Sequence, residues 1–539
     1  MLKKINLLFL SVFMIAVMGC SEDFLETKPT TAIAEADAFA SIENMYLVLN
    51  GLHNQMYNWQ AFPHPNTRRN GESAFIPAHD SAAGDLIHSA RGNGWNRGSL
   101  QWLSHTNANS REGYALWYQR YHFIASASNL INQITAQGLP TNDPDIANIL
   151  GQAYAYRAWA YHVLVTSFAK GYLIGSPATD PGVPLLLEAG APYTSGPRAT
   201  VQAIYDQINL DINASIGHFA GASAPANKSH LSLRAAHGIK ARVALQSGDW
   251  ATAASSANAA RQGVPLMGSA AWLSGFNEVE GEPEVIWGGT VIPAESNFFA
   301  SYFYYISPTF NGSQNRGNPK LINQEYYDAI PATDFRVGMA LPMAPNTNSS
   351  ASNGQGGSFE TDPNYSDAAS FAAARAAIVA QYGMTTAHNL HPYMAVKFLQ
   401  DNPGTIDPDD VIYMRGSEMY LIEAEARTMM NDLPGARTVL NAFGSVRDTA
   451  YDANAFTTQA ALMGHIKWQR RVELHGEGFA WFDQIRWDEG IDHTNSGASS
   501  VLYQAGFTQA RPSVNDAWVW KIPQAEIDAN DNLTEADQN

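Results

Sequence analysis

"EMYLIEAEARTMMNDLPGARTVLNAF", residues 418–443, reads as an Ala-rich helix, a short turn of Asn, Asp and Gly, and a second Ala-rich helix. Residues 235–261, "AAHGIKARVALQSGDWATAASSANAAR", repeat the pattern. Small residues let paired helices approach closely, which is the logic of tetratricopeptide hairpins. The two units are far apart and degenerate, so they indicate helical-repeat character rather than a regular array. Apolar residues at helical spacing predict further helices over Ala38–Asn58, Glu112–Ile134 and Ile146–Phe168. Thr200 caps a fourth, with Ile204, Ile208 and Ile212 behind it. Strand-like pieces are scarcer: Val285–Val291, Phe299–Ile306 and Val411–Met414. Long irregular stretches separate the helices. Gln60–Ser110 is rich in Gly, Asn, His, Pro and Trp, which favours function, whereas Met343–Asp367 is Asn/Ser/Gly-rich, which favours mobility. The fold class is therefore mainly α, a tetratricopeptide-like helical-repeat scaffold with a loop-rich variable lobe and a few short strands. The scaffold is expected mainly at 38–58, 111–263 and 411–539, and the lobe mainly at 59–110 and 264–410.

The formal charge of −18 over 539 residues argues against nucleic acid or a bare anionic membrane as partner. It also weakens the case for a highly sulfated or uronic ligand unless a local basic patch is present. Only 15% of residues are charged while 11% are aromatic, with 13 Trp and 23 Tyr. Most of these rings belong in a core, and the informative ones are those that fall in loops.

Cys20 is the only cysteine, which rules out an intramolecular disulfide or a Cys-based metal site. It follows Lys3, Lys4, an almost uninterrupted apolar run from Ile5 to Met18, and Gly19. That layout is a signal peptide over residues 1–19, too short to serve comfortably as a permanent span. Val17-Met18-Gly19-Cys20 resembles a bacterial lipobox, in which the thiol is alkylated with diacylglycerol and the chain is cut just before it. Several acyl chains, each contributing about 0.8 kcal/mol per buried methylene, make such an anchor stable. Ser21-Glu22-Asp23 resembles the surface-export signal of Bacteroidetes lipoproteins.

Signatures of catalysis are largely missing. The sequence holds no G-x-S-x-G, no phosphate loop and no H-E-x-x-H, and the 15 His show no metal-ligand spacing. "GNGWNRG" at 92–98 is Gly-rich but has the wrong spacing for a dinucleotide site and follows no clear strand. Carboxylates are plentiful, and a glycosidase needs only two of them facing each other. Glu418, Glu423 and Glu425, with Arg415 and Arg427 near, read better as ion pairs steadying a helix stack. So do Arg470, Arg471, Glu473, Glu477, Asp483 and Arg486, since buried charges need partners. No catalytic residue, metal ligand or cofactor is assigned.

Five motifs in order resemble those of the SusD-like (RagB/SusD) lipoproteins: "CSEDFLETKP" from residue 20, "AYAYRAWAYHVLVTSFAKGY" from 153, "MRGSEMYLIEAEA" from 414, "RVELHGEGFAWFDQIRW" from 471 and "WKIPQAEIDANDNL" from 520. Ala480 stands where that family usually has Arg, and Gln469 where a Glu is common, which puts one ion pair in doubt. The resemblance implies a non-catalytic glycan-binding lipoprotein on the outer face of an outer membrane. It would capture an oligosaccharide or polysaccharide and cap a SusC-like TonB-dependent transporter, with its helices against the barrel and its lobe on the sugar. Two alternatives stay open, a surface glycoside hydrolase on a helical scaffold and a lid for peptides. Sugar rings stack on exposed aromatics, while their hydroxyls need planar polar partners. The loop "SARGNGWNRGSLQW" supplies Trp95 and Trp102 flanked by Arg91, Asn93 and Asn96. A second strip, "SYFYYISPTFN", alternates Tyr302 and Tyr304 with Phe303 and Tyr305, one face being core.

Overall fold

The computed structural model describes residues 39–58, 71–91, 96–188, 195–296 and 301–539. Cys20, Asn93 and Trp95 lie outside the described residues. The chain divides into two units, 1–48 and 49–539, with the division inside helix α1 (Ile42–Asn58). In the first unit Ser41 Oγ accepts a hydrogen bond from the Asn44 amide at the start of that helix.

The second unit is mostly helical. Its longer helices are α2 (Glu72–Ala83), α3 (Arg111–Ala136), α4 (Pro144–Phe168), α5 (Val201–Phe219), α6 (Leu233–Ser247), α7 (Trp250–Arg261), α8 (Ala368–Gln381), α9 (Gly416–Met429), α10 (Leu433–Arg447), α11 (Gln459–Glu473) and α12 (Ala480–Trp487). Helices α3 to α7 pack each against the next in the order of the chain. Thr200 caps α5 as the sequence predicts, its hydroxyl accepting from the Ala203 amide at 3.2 Å.

Both predicted hairpins form, and they end and restart in the same way. Helix α6 stops at Gly248, which adopts a left-handed φ of 76°, and Asp249 then caps α7 through the Thr252 amide. Helix α9 stops at Asn431, with φ 62°, and Asp432 caps α10 through the Gly435 amide. A left-handed residue reverses the chain and the following carboxylate satisfies the exposed helix N–H groups. Although about 150 residues of sequence separate them, the hairpins are neighbours, because α7 packs directly on α9. Arg261 of α7 reaches Glu423 of α9 at 2.7 Å.

The residues between the helical runs carry the sheet. Strands β1 (Leu86–His88), β3 (Lys320–Ile322), β5 (Met394–Ala395) and β4 (Ala340–Leu341) lie in that order, all antiparallel. A two-stranded ribbon joins β2 (Val285–Gly289) to β6 (Val411–Arg415), near two of the predicted strands. Ile87, Leu321, Met394, Val396, Leu390 and Tyr503 form the core beneath the sheet.

Two expectations are corrected. Part of the stretch 60–110 is helix α2, whose residues Ser73 to Ala83 are all buried. A helix surrounded by protein has no polar face, and Pro77 within it further hides the pattern. The predicted strand around 299–306 contains instead a single helical turn, Tyr302–Ile306, with Ser301 Oγ accepting from the Tyr304 amide. All five residues of that turn are buried, and a short apolar run buried on every side carries no readable period.

The charged residues of the C-terminal half form buried ion pairs. Glu473 is fully buried and meets Arg336, Arg415 and Arg447 at 2.9, 2.6 and 3.0 Å. Arg415 also binds Glu284 and Glu477, and Glu477 binds Lys397 at 2.6 Å. Gln469 does not break the pattern, because its amide oxygen accepts from Arg336 Nη2 at 2.8 Å. Burial pushes the Glu473 carboxyl up, but Arg447, Arg415 and Arg336 together hold it well below the usual range.

Glu473→Gln should therefore lower unfolding free energy by about 3–5 kcal/mol, the range for breaking a buried pair, measured by urea denaturation at neutral pH. A depressed folded-state pKa gives stability that is present above about pH 4.3 and lost as acid protonates the group. The wild-type urea midpoint should then fall more steeply than the variant's on acidification below that pH.

Candidate functional site

Two cavities bear on function. The first lies among α2, α3, α4, α6, α9 and α12, has a volume of about 100 Å³, and is lined by Glu72, Arg120, Arg242, Glu418, Glu477, Asp483 and Arg486. Every carboxylate in that lining is held by a cation. Glu72 binds Arg120, Glu418 binds Arg242 at 2.6 Å, Glu477 binds Arg415 and Lys397, and Asp483 binds Arg470 and Arg486. His79 and His162 are driven down to about 3, by burial first and then by Arg120 and Arg242 respectively, so both are neutral. Carboxylates committed to arginines make a poor acid–base pair. This cavity belongs to the packing of the scaffold.

The second is a cleft of about 200 Å³ at the end of the four-stranded sheet. Leu321 and Ile322 of β3 form its floor, and Gln324, Asn346, Asn353, Gln355, Asp362, Asn364, His391, Tyr393 and Ser496 supply polar atoms. Asn353, Gln355 and Asn364 are exposed, so the cleft opens to solvent.

Its wall is the Asn/Ser/Gly-rich stretch for which the sequence favours mobility, and hydrogen bonds pin it. Asp362 accepts from the amides of Asn346 at 2.7 Å and Asn364 at 3.0 Å. The Asn346 side chain accepts from the Asn348 amide and donates to Gln355 O. Asn348, fully buried, donates to Gly317 O and accepts from the Ser350 amide, both at 3.0 Å. Asn and Asp side chains stand in for missing backbone partners in this way wherever a loop must be fixed without a ladder.

Tyr393 forms the opposite wall. Its φ of 62° is left-handed, a strained geometry for a bulky side chain that costs about 1–3 kcal/mol. The sheet holds it there: its amide donates to Leu341 O at 2.8 Å and its carbonyl accepts from the Ile322 amide at 3.1 Å. The half-buried ring meets Tyr327 edge-on at 5.6 Å, and Gln324 Nε2 donates to its hydroxyl at 3.0 Å. Burial, then Asp328 at the hydroxyl, pushes its pKa up, and burial pulls the His391 imidazole below its ordinary value.

Two amides in this cleft have nothing to hold. Among the described residues, the side chains of Gln355 and Asn364 make no hydrogen bond, although their neighbours Asn346, Asn348 and Asp362 are fully engaged. Each offers a planar donor and acceptor to solvent or to a ligand.

The structure sorts the residues named from the sequence. Trp102 is 4% exposed, donates its indole N–H to Ala82 O at 2.9 Å, and meets Trp518 edge-to-face at 4.8 Å. Tyr302 donates to Gly476 O and packs on Phe398, while the Tyr304 ring lies against Phe310 and Gly312. Asn96 is buried with a φ of 55° immediately before the helical turn Arg97–Leu100. Trp102, Tyr302, Tyr304 and Asn96 are thus core residues, and the expectation that they contact ligand is corrected. The three rings are consumed by packing, and Asn96 is buried at the start of its turn. Arg91 is exposed, and its amide donates to Ser350 O beside a bridge between Ala90 and Ala351. That seam fastens the Arg91 loop to the cleft wall, an adjacency that no spacing in the sequence announces.

Two family models match the sequence, the SusD family at residues 339–539 and a SusD-like family described as starch-binding associating with outer membrane at residues 23–245. The chain belongs to the SusD family. A curated relative, SusD-like protein P38 of Formosa agariphila, is 23% identical over 515 residues, 91% of this chain and 92% of that protein. Among solved structures, a SusD-like carbohydrate binding protein from Bacteroides vulgatus superposes with a TM-score of 0.73 at 21% identity, covering 92% of this chain and 98% of that one. A SusD superfamily protein from Bacteroides thetaiotaomicron gives 0.71 at 19%, covering 93% and 100%. At these identities the neighbours establish the shared helical fold. In this SusD-like chain, no helix among the described residues is long and apolar enough to cross a membrane, and no group of three His, Cys, Asp or Glu residues is placed to hold a metal ion.

Trp102→Ala should cost about 3–5 kcal/mol of stability, as large aromatic truncations in cores do, read as a lowered melting temperature. A variant that melts like wild type would return Trp102 to the surface.

Proposed function

We propose that this SusD-like chain is a surface lipoprotein that captures a glycan in the cleft between the 346–364 loop and Tyr393 and delivers it to a SusC-like TonB-dependent transporter. The observation that carries the reading is that two unengaged amides on a pinned loop, Gln355 and Asn364, line the same cleft as a strained, half-buried tyrosine, Tyr393. Amides match hydroxyls because each both donates and accepts, and an aromatic face receives the C–H side of a sugar ring. A family described as starch-binding and associated with the outer membrane supports the ligand class and the location. The paired carboxylates of the scaffold support binding rather than hydrolysis. The lobe built from 59–110 and 264–410 would face the ligand and the helical side the barrel.

Cys20 is proposed as the lipidation site, with cleavage after residue 19 and the protein facing the exterior. Arg91, whose amide meets Ser350 O, is proposed to contribute to the glycan platform, as are Asn93 and Trp95 from the sequence that follows it.

Cys20→Ser should leave the precursor unlabelled by a clickable fatty acid and absent from the cell surface. Tyr393→Ala and Trp95→Ala should each weaken glycan binding about ten-fold, equivalent to about 1.4 kcal/mol, by affinity electrophoresis with polysaccharide cast in the gel. Unchanged mobility of both variants would remove the cleft and its seam as the platform. A native-membrane pull-down that recovers the intact lipoprotein without a large TonB-dependent barrel would remove the delivery role.

A further inference from the structure

We infer that the cleft selects neutral glycans and rejects uronic and sulfated ones, an inference that rests on the glycan-binding reading above. Among the described residues, no lysine or arginine lines it. Its one charged lining side chain is Asp362, and His391 is kept neutral by burial. Beside it stands a further carboxylate, Asp328, whose Oδ2 lies 3.4 Å from the Tyr393 hydroxyl.

Two nearby cations are turned to other work. Lys320, on the same strand as the floor, is 1% exposed and donates its Nζ to Asn318 O at 2.7 Å. Arg375 on α8 donates to Thr386 O and His388 O. Arg316 precedes β3 but is absent from the lining, as is Arg91 across the seam.

An anionic sugar entering this cleft would give up water without gaining a counter-charge and would meet the like charges of Asp362 and Asp328. Burying an unpaired anion is strongly unfavourable. A hydroxyl or an acetamido group meets the opposite situation, because Gln355 and Asn364 present unengaged amide groups. The exclusion is thus built into the lining rather than into the net charge of −18.

The test is affinity electrophoresis of the full soluble chain in gels carrying neutral polysaccharides (starch, xylan, mannan, mixed-linkage β-glucan) or anionic ones (polygalacturonate, alginate, carrageenan). Retardation is expected in at least one neutral gel and in no anionic gel, with affinity reduced about ten-fold in Asn364→Ala and in Gln355→Ala at unchanged melting temperature. Asn364→Lys, which places a cation at the rim, is expected to admit an anionic polysaccharide that wild type ignores. Wild type retarded more by an anionic gel than by any neutral one overturns the selectivity while leaving glycan binding intact, and loss of that retardation in Arg91→Ala would place the site at the seam. Neutral binding that survives both alanine variants overturns the cleft as its seat. Retardation in no gel at all overturns the glycan-binding reading together with the inference.

Discussion

Three arginines converge on one buried carboxylate. Glu473, at the end of α11, draws in Arg336 from the loop ahead of β4, Arg415 from the end of β6, and Arg447 from the end of α10. Those elements come from different parts of the chain and from both the helical stack and the sheet region. A single glutamate cannot neutralise three guanidinium groups, so Arg336 leans on Asp334, and Arg415 and Arg447 share Glu284. The pairs form a closed circuit in which each charge is satisfied only when all the elements are home. Such a circuit contributes less to net stability than its short distances suggest, because every ion gave up water to enter. Its consequence is a severe cost for partial assembly.

The sheet is fixed relative to the stack by that circuit, and the cleft is built on the sheet. Tyr393 can be held in a left-handed conformation only because β3 and β4 grip its backbone from both sides. The opposite wall has only one short 3-10 turn, Phe359–Thr361, of its own. Asn346, Asn348 and Asp362 each spend their side chains on backbone groups and leave the outward amides unencumbered. Rigid support and free recognition groups are thus assigned to different residues of one short loop.

The helical scaffold was legible because amphipathic spacing and capping residues are local signals. Thr200 and the two Ala-rich hairpins show this directly. The ion-pair reading of Glu418, Glu423 and Glu425 also follows from sequence, since charges on an apolar helix must find partners, and each is paired. Helix α2 was hidden because it is buried all round, and the Tyr302–Ile306 turn because five buried residues show no period. The cleft was illegible for a different reason. Asn, Ser and Gly in a long loop look the same whether they are solvated or locked, and the difference lies in partners as remote as Gly317 and Ser89. The Trp-bearing loop drew attention for its aromatics, but Trp102 shows that a ring among glycines is as easily a plug as a platform.

The division of labour within the 346–364 loop bears on how such a protein diversifies. Replacing Asn348 or Asp362 disturbs the loop's frame, and replacing Glu473 disturbs the whole molecule. Exchanging Gln355 or Asn364 disturbs neither, because nothing folded depends on their side chains. If the cleft binds glycan as proposed, mutation at those two positions is nearly silent for folding and loud for recognition. A lineage carrying this architecture can therefore drift towards a new diet one rim residue at a time, without crossing a valley of misfolded intermediates.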